Sequence, residues 1–345
     1  MADEDDSMLR KMLSRALQYY REQLKETSNA IDYLKKRGVS GNTARMYGLG
    51  YAPSKGKGLR DIFTNYQVPA LVECGLVIEG EKKRYDRFRD RIMFPILDDT
   101  GQVVGFGGRV MDSSLPKYLN SPETALFNKG EMLFGLPQAI AAIQSSGMVL
   151  VVEGYMDVVM LAEHGILNSV ASLGTATTMA HVQKLKAIAQ KIVFCFDDDA
   201  AGQRAMQRAM DLFTDQIDGT IQVLFLCLPN GHDPDSYVRE HSAEALLKLA
   251  DNAIPYDSFM VDHLMINHDL ETVEGRAHFI HDAFPYLVRL KGAMQIRMIK
   301  RISCLGKLTE EEMTYLVYQH RRSQQCTRHT SARTKSECAR PNAVA

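Results

Sequence analysis

From residue 148 the chain alternates between two rhythms. Short apolar runs, MVLVVE, SVASL, KIVFCFD and IQVLFLCL, are separated by longer stretches of helical periodicity, YMDVVMLAEHG, TMAHVQKLKAIAQ and GQRAMQRAMDLFTDQ. Strands that alternate with helices at this spacing require right-handed crossovers, so the pattern predicts an α/β region with a parallel sheet flanked by helices. Upstream, DRIMFPILDDTGQVVGFGGRV predicts a β-hairpin turning at Asp98–Gly101, and SNAIDYLKKRGVSGNTARMYGLG predicts two small helices parted by Gly38. Downstream the strand signal stops and helical periodicity continues through AEALLKLADNA and MQIRMIKRISCLG. The methionines and tyrosines of residues 255–320 fall at helical spacing and read as core. The expected organisation is an α+β N-terminal subdomain over 1–147, the parallel-sheet subdomain over 148–239 and a helical subdomain over 240–322. Residues 323–345 read as a disordered tail.

Composition narrows the classes. With 345 residues and 45% hydrophobic content the chain can build two or three cores. A formal net charge of −1 means that any anion-binding surface must be local. The acidic start MADEDDSM excludes a secretory leader, and Glu153 and Asp157 interrupt the most apolar stretch before the ~18 residues of a membrane span. Six scattered cysteines without a C-x-x-C pair point to a reducing cytoplasm. Neither a disulfide framework nor a zinc site is expected, and none of the ten histidines has metal-ligand spacing.

The candidate chemistry sits at strand ends. MVLVVE ends in Glu153, with Asp157 in the helix behind it. KIVFCFD runs into Asp197, Asp198 and Asp199, and IQVLFLCLP leads to Asp233 and Asp235 in NGHDPDSY. Parallel sheets gather ligands outside the carboxyl ends of their strands, so as many as seven carboxylates converge on one edge. Two carboxylates about 4 Å apart repel by roughly 4 kcal/mol at an effective dielectric near 20. A hard divalent cation, magnesium or manganese, would offset that cost and bring substrate phosphates with it. Helix caps, turns and solvated charges are the competing reading. A second feature is basic. Residues 82–91, KKRYDRFRDR, carry Arg87 and Arg89, and Arg109, Lys117 and Lys129 follow, with Tyr118 and Asn120 beside Lys117. Such residues neutralise nucleic-acid phosphates and stack on unpaired bases, although a charge run is also the mark of a solvated surface.

VVEGYMDVVMLAEHGI, SVASLGTA and IVFCFDDDAAGQRA closely resemble the Toprim fold of bacterial replicative DNA primases of the DnaG type, a fold shared with topoisomerases and some nucleases. RYDRFRDRIMFPILDDTGQVVGFGGRV and KYLNSPETALFNKGEMLFGL resemble the amino-terminal part of the same primases, which topoisomerases lack. The resemblance runs from about residue 13 to 320. It implies a primase catalytic core, a nucleotidyltransferase that makes short RNA primers from ribonucleoside triphosphates on single-stranded DNA, with an RNA–DNA hybrid as product. Glu153 would be a metal ligand or proton acceptor, and Asp197 and Asp199 catalytic metal ligands. Asp233 and Asp235 would be further ligands, Asp157 and Asp198 supporting acids. Arg87, Arg89, Arg109, Lys117, Tyr118, Asn120 and Lys129 would hold nucleotide or template. A replicative helicase is the partner that the family implies, but no zinc-ligand set and no helicase-binding domain are recognised here. A core fragment, a truncated gene or a frameshifted ending would account for that. A Toprim nuclease or topoisomerase, and a non-catalytic single-strand-binding fragment, stand as alternatives.

Overall fold

A computed structural model of the chain describes residues 2–322 apart from 55–57, 82, 198 and 218. Asp198 and the tail therefore lie outside the described residues. The chain divides into two compact units, one of residues 1–209 with 224–253, the other of 210–223 with the segment from Ile254 onward.

The first unit opens with α1 (Ala2–Glu26), a long helix ahead of the two small ones. Leu9, Leu13, Ala16, Tyr20 and Leu24 recur every three or four positions and are all buried, so one stripe of α1 faces the core. Its acidic first turn hides that stripe at the level of composition. The two small helices follow as α2 (Ser28–Lys36) and α3 (Gly41–Met46), and Gly38 stops the first at φ +82°. Next come β1 (Gly50–Ala52), a short α4 (Ala70–Glu73) and the antiparallel pair β2 (Val77–Glu79) and β3 (Arg84–Asp86).

The expected hairpin is β4 (Arg91–Leu97) and β5 (Val103–Val110). Asp98 Oδ1 fixes its turn by accepting from the Thr100 and Gln102 amides. With β6 (Tyr118–Asn120) these strands form an antiparallel sheet ordered β1-β4-β5-β6. Every residue of β5 is buried because both faces are covered. The Tyr20 ring of α1 stands edge-on to Phe106 at 5.4 Å, and across β4 the Phe94 ring stacks on Tyr155 at 5.3 Å. Gly107 permits that approach, since a Cβ there would lie 2.7 Å from the Tyr155 ring. The GFGGR stretch is thus a close-packed strand, as its glycines suggest.

After α5 (Leu136–Ser146) comes the second sheet. It includes β7 (Met148–Val152), β8 (Ser169–Ala171), β9 (Lys191–Phe196) and β10 (Gln222–Cys227), neighbours in the order β10-β9-β7-β8. β7 is parallel to both β8 and β9 and buried at all five positions. A strand covered on both faces needs an uninterrupted apolar run, and MVLVV supplies one. The crossovers are α6 (Tyr155–Glu163), α7 (Met179–Ile188) and α8 (Ala200–Phe213). Then α9 (Pro234–Glu240) packs on α6, and α10 (Ala243–Asp251) follows.

The second unit is helical: α11 (Tyr256–Met265), α12 (Val273–Leu287), α13 (Gly292–Gly306) and a helix over 310–322. Met260, Met298, Met313 and Tyr256 are core residues as expected, but Tyr315 and Tyr318 are exposed. Helical spacing marks a face without saying whether another element covers it. No described helix is long and apolar enough to cross a membrane.

Candidate active site

Three chain segments deliver carboxylates to one cleft of about 360 Å³. β7 ends at Val152, and the turn into α6 presents Glu153. Asp157, on the first turn of α6, accepts the Gly154 amide at 2.9 Å. β9 ends at Phe196 and releases Asp197, whose amide points at Glu153 Oε1, 3.4 Å away. Asp233 caps α9, accepting the Ser236 amide at 2.6 Å, and the packing of α9 on α6 brings it to the same place. Glu153, Asp157, Asp197 and Asp233 therefore line one cleft.

The rest of the lining is basic and polar: Arg37, Arg109 and Lys117, with Tyr118 and Asn120. The Arg109 guanidinium lies over the Tyr118 ring at 5.1 Å and donates to its hydroxyl. Asn120 accepts from the Tyr155 hydroxyl at 2.7 Å and donates to the Leu173 carbonyl, so β6 is pinned to the strand ends of the parallel sheet. Gly174, in the left-handed region at φ +73°, completes that edge.

Proton affinities report the crowding of the acids. Asp157 is pushed up to about 8, first by desolvation and then by Asp197 and Asp233. Glu153 is raised by desolvation and by Asp197. Asp197 is raised by desolvation, Asp233 and Asp199, with Lys117 opposing. Three polar atoms in the cleft residues are buried without a hydrogen-bond partner: the acceptor Asp197 Oδ1 and the donors Arg37 Nε and Arg109 Nε. A buried polar atom without a partner costs about 1–3 kcal/mol. The orphan acceptor among like charges suits a hard cation, and the orphan guanidinium donors suit an anion.

A testable consequence concerns pH. A carboxyl whose folded pKa is raised contributes stability below its unfolded pKa and loses it as pH rises through the folded value. For Asp157 that window runs from about 4 up to about 8. The metal-free chain should melt several degrees lower at pH 9 than at pH 6. Asp157→Asn and added magnesium should each flatten the decline, and equal slopes for wild type and variant would refute the assignment.

Other anticipated site residues stand elsewhere. Asp199 Oδ1 accepts the amides of Ala201 and Gly202 at 2.7 and 2.8 Å, capping α8. Asp235 is buried and ion-paired to Arg37 and Arg239 at 2.9 and 2.8 Å, yet burial still raises its pKa. Arg87 is committed to the Asn120 carbonyl through two nitrogens at 3.0 and 2.8 Å, and Arg89 lies over the Tyr85 ring. Lys129 does not line the cleft. Much of the basic run is thus spent on holding strands together. Arg37 joins the cleft although its only sequence signal is a basic cluster ahead of a glycine. The histidines, expected to lack metal partners, are not all isolated: ligand atoms of His232, Glu240 and His241 lie within 4.8 Å of one another.

Residues 19–140 match the N-terminal domain of the DNA primase catalytic core, and residues 150–238 match the Toprim-like family. Residues 258–303 match the DnaB-helicase binding domain of primase. That match corrects the expectation that the helicase-binding region is absent; its helices carry no short motif that distinguishes them from other amphipathic helices. The DNA primase of Neisseria meningitidis (serogroup A) is 44% identical over 303 residues, which are 87% of this chain and 51% of that protein. The primase of Legionella pneumophila is 42% identical over 309 residues, covering 89% and 54%. The chain therefore spans about half the length of the curated relatives it matches.

Two solved structures extend the likeness. The crystal structure of a DNA primase domain from Pseudomonas aeruginosa superposes with a TM-score of 0.84 at 40% identity, covering 90% of this chain and 99% of that one. A DnaG primase catalytic domain bound to ssDNA superposes with a TM-score of 0.85 at 34% identity, with the same coverage. With both halves of its first unit matched in sequence and fold, the chain belongs to the DnaG-type bacterial DNA primases.

Proposed function

We propose that the chain is the RNA-polymerising core of a primase and makes short RNA primers on single-stranded DNA in the bacterial cytoplasm. The 3′-hydroxyl of a nucleotide or short RNA attacks the α-phosphate of an incoming ribonucleoside triphosphate, and pyrophosphate leaves. The observation that carries this reading is that Glu153, Asp197 and Asp233, from three separate segments, share one cleft with Arg37, Arg109 and Lys117. Residues 1–147 would supply the basic wall and 148–239 the carboxylates.

Glu153, Asp197 and Asp233 would hold magnesium or manganese, with Asp199 and Asp235 as further candidates. When bound, the cation would lower the pKa of the attacking hydroxyl and neutralise charge on the departing pyrophosphate. Arg37 and Arg109, with their unpartnered Nε donors, would bind triphosphate oxygens, and Lys117 would balance Asp197 or a template phosphate. Glu153, with its raised proton affinity, is the group suited to take the proton of the hydroxyl. The similar DnaG domain bound to ssDNA supports the same ligand class here, and residues 258–303 make a replicative helicase the expected partner.

The test is incorporation of labelled ribonucleotides on single-stranded DNA with magnesium, manganese or a chelator. Metal-dependent RNA products with an intact template are expected. Nicking or relaxation of plasmid without incorporation would favour a nuclease or topoisomerase. Salt-sensitive DNA binding without either activity would favour a binding fragment.

A further inference from the structure

We propose that His232, Glu240 and His241 form a second metal site, distinct from the acidic cleft, that takes a borderline transition-metal ion such as zinc and staples the two ends of α9. Sequence spacing gives no hint of it, because eight and nine positions match no familiar ligand interval. The fold creates it. His232 precedes the Asp233 cap, Glu240 ends the helix and His241 is its C-cap, and the two imidazoles reach along the seven-residue helix to within 5.5 Å between centroids. Two imidazole nitrogens and a carboxylate oxygen fall within 4.8 Å of one another.

The arrangement prepares His232 as a ligand. Its Nδ1 pairs with Ser236 Oγ at 3.1 Å, and that hydroxyl is already committed as donor to the Asp233 carbonyl at 3.1 Å. Ser236 Oγ is placed to accept from Nδ1–H, which leaves Nε2, facing Glu240 Oε2 at 3.7 Å, as the nitrogen open to a metal. A hydrogen bond on the non-ligating nitrogen is how metal-binding histidines are oriented. The Tyr237 ring packs against His232 and His241 at 5.6 and 4.5 Å between centroids and holds both imidazoles to the same side.

A donor set of two imidazoles and one carboxylate suits zinc, cobalt or nickel, whereas magnesium prefers oxygen ligands in an octahedron. Zinc bonds of about 2.0–2.1 Å would draw the ligand atoms to roughly 3.4 Å apart. The exposed Glu240 and His241 have room to make that small movement, and solvent has access to the fourth position.

The experiment uses the full metal-free chain carrying Asp197→Asn, with excess magnesium present to occupy the acidic cleft. Cobalt is titrated by its visible absorption and zinc by calorimetry. The expected result is one more bound transition-metal ion than in the same protein with His241→Ala or His232→Ala added, and at least a tenfold weaker affinity for any ion those variants retain. Zinc should also raise the melting temperature in the presence of both histidines and not after either substitution. Because His241 is at the surface, His241→Ala should keep the native circular dichroism. Equal stoichiometry and affinity in folded variants would overturn the site.

Discussion

Replacing Asp197 by asparagine is expected to abolish primer synthesis, by a factor of 10³ or more, while the fold persists. Asp197 sits where β9 ends, beside Glu153 and in the electrostatic reach of Asp233, and its Oδ1 is buried without a partner. Asparagine keeps the shape but removes the charge that a divalent cation needs, and a thousandfold loss corresponds to about 4 kcal/mol of transition-state stabilisation. The stability effect should have the opposite sign. Desolvation and two neighbouring acids already disfavour the ionised carboxyl, so a neutral side chain relieves repulsion in the metal-free protein. Its melting temperature at pH 8 should be equal to or above that of wild type, and added magnesium should stabilise it less. Primer yield above a tenth of wild type with magnesium supplied would sink the assignment of Asp197.

Gly202→Ala should cost about a hundredfold in kcat and also lower stability. Gly202 lies in the first turn of α8, against the backbone of Asp197 just past the end of β9. A Cβ there would overlap the Asp197 carbonyl oxygen and stand 3.0 Å from its carbonyl carbon. The neighbouring contact is backbone, so no side-chain rotation can relieve it. Asp199 meanwhile holds the helix start through the Ala201 and Gly202 amides. The strand end must then move, and a displacement near 1 Å in a catalytic group costs about 10² in rate. Alanine is about 1 kcal/mol better than glycine inside a helix, which offsets part of the strain. A variant with kcat within threefold of wild type would show that the tip of β9 has freedom to adjust.

The parallel sheet, the hairpin at Asp98–Gly101 and the placing of Glu153 and Asp197 at strand ends were legible in the sequence. Each depends on local order along one segment: an apolar run that needs two covered faces, a turn that needs Asp and Gly, an acid at the point where a strand must stop. What only the tertiary structure decided is which polar partner each side chain chooses. Arg37 reaches across 198 positions to Asp235 and so becomes part of the cleft. Arg87 finds the Asn120 carbonyl, Asp199 turns to its own helix, and the two ends of α9 bring His232 within reach of His241. Hydrophobic periodicity survives in the linear chain because burial is set by which face of an element turns inward. Ion pairs, caps and metal clusters do not, because they depend on the register between elements remote in sequence, and packing alone sets that register.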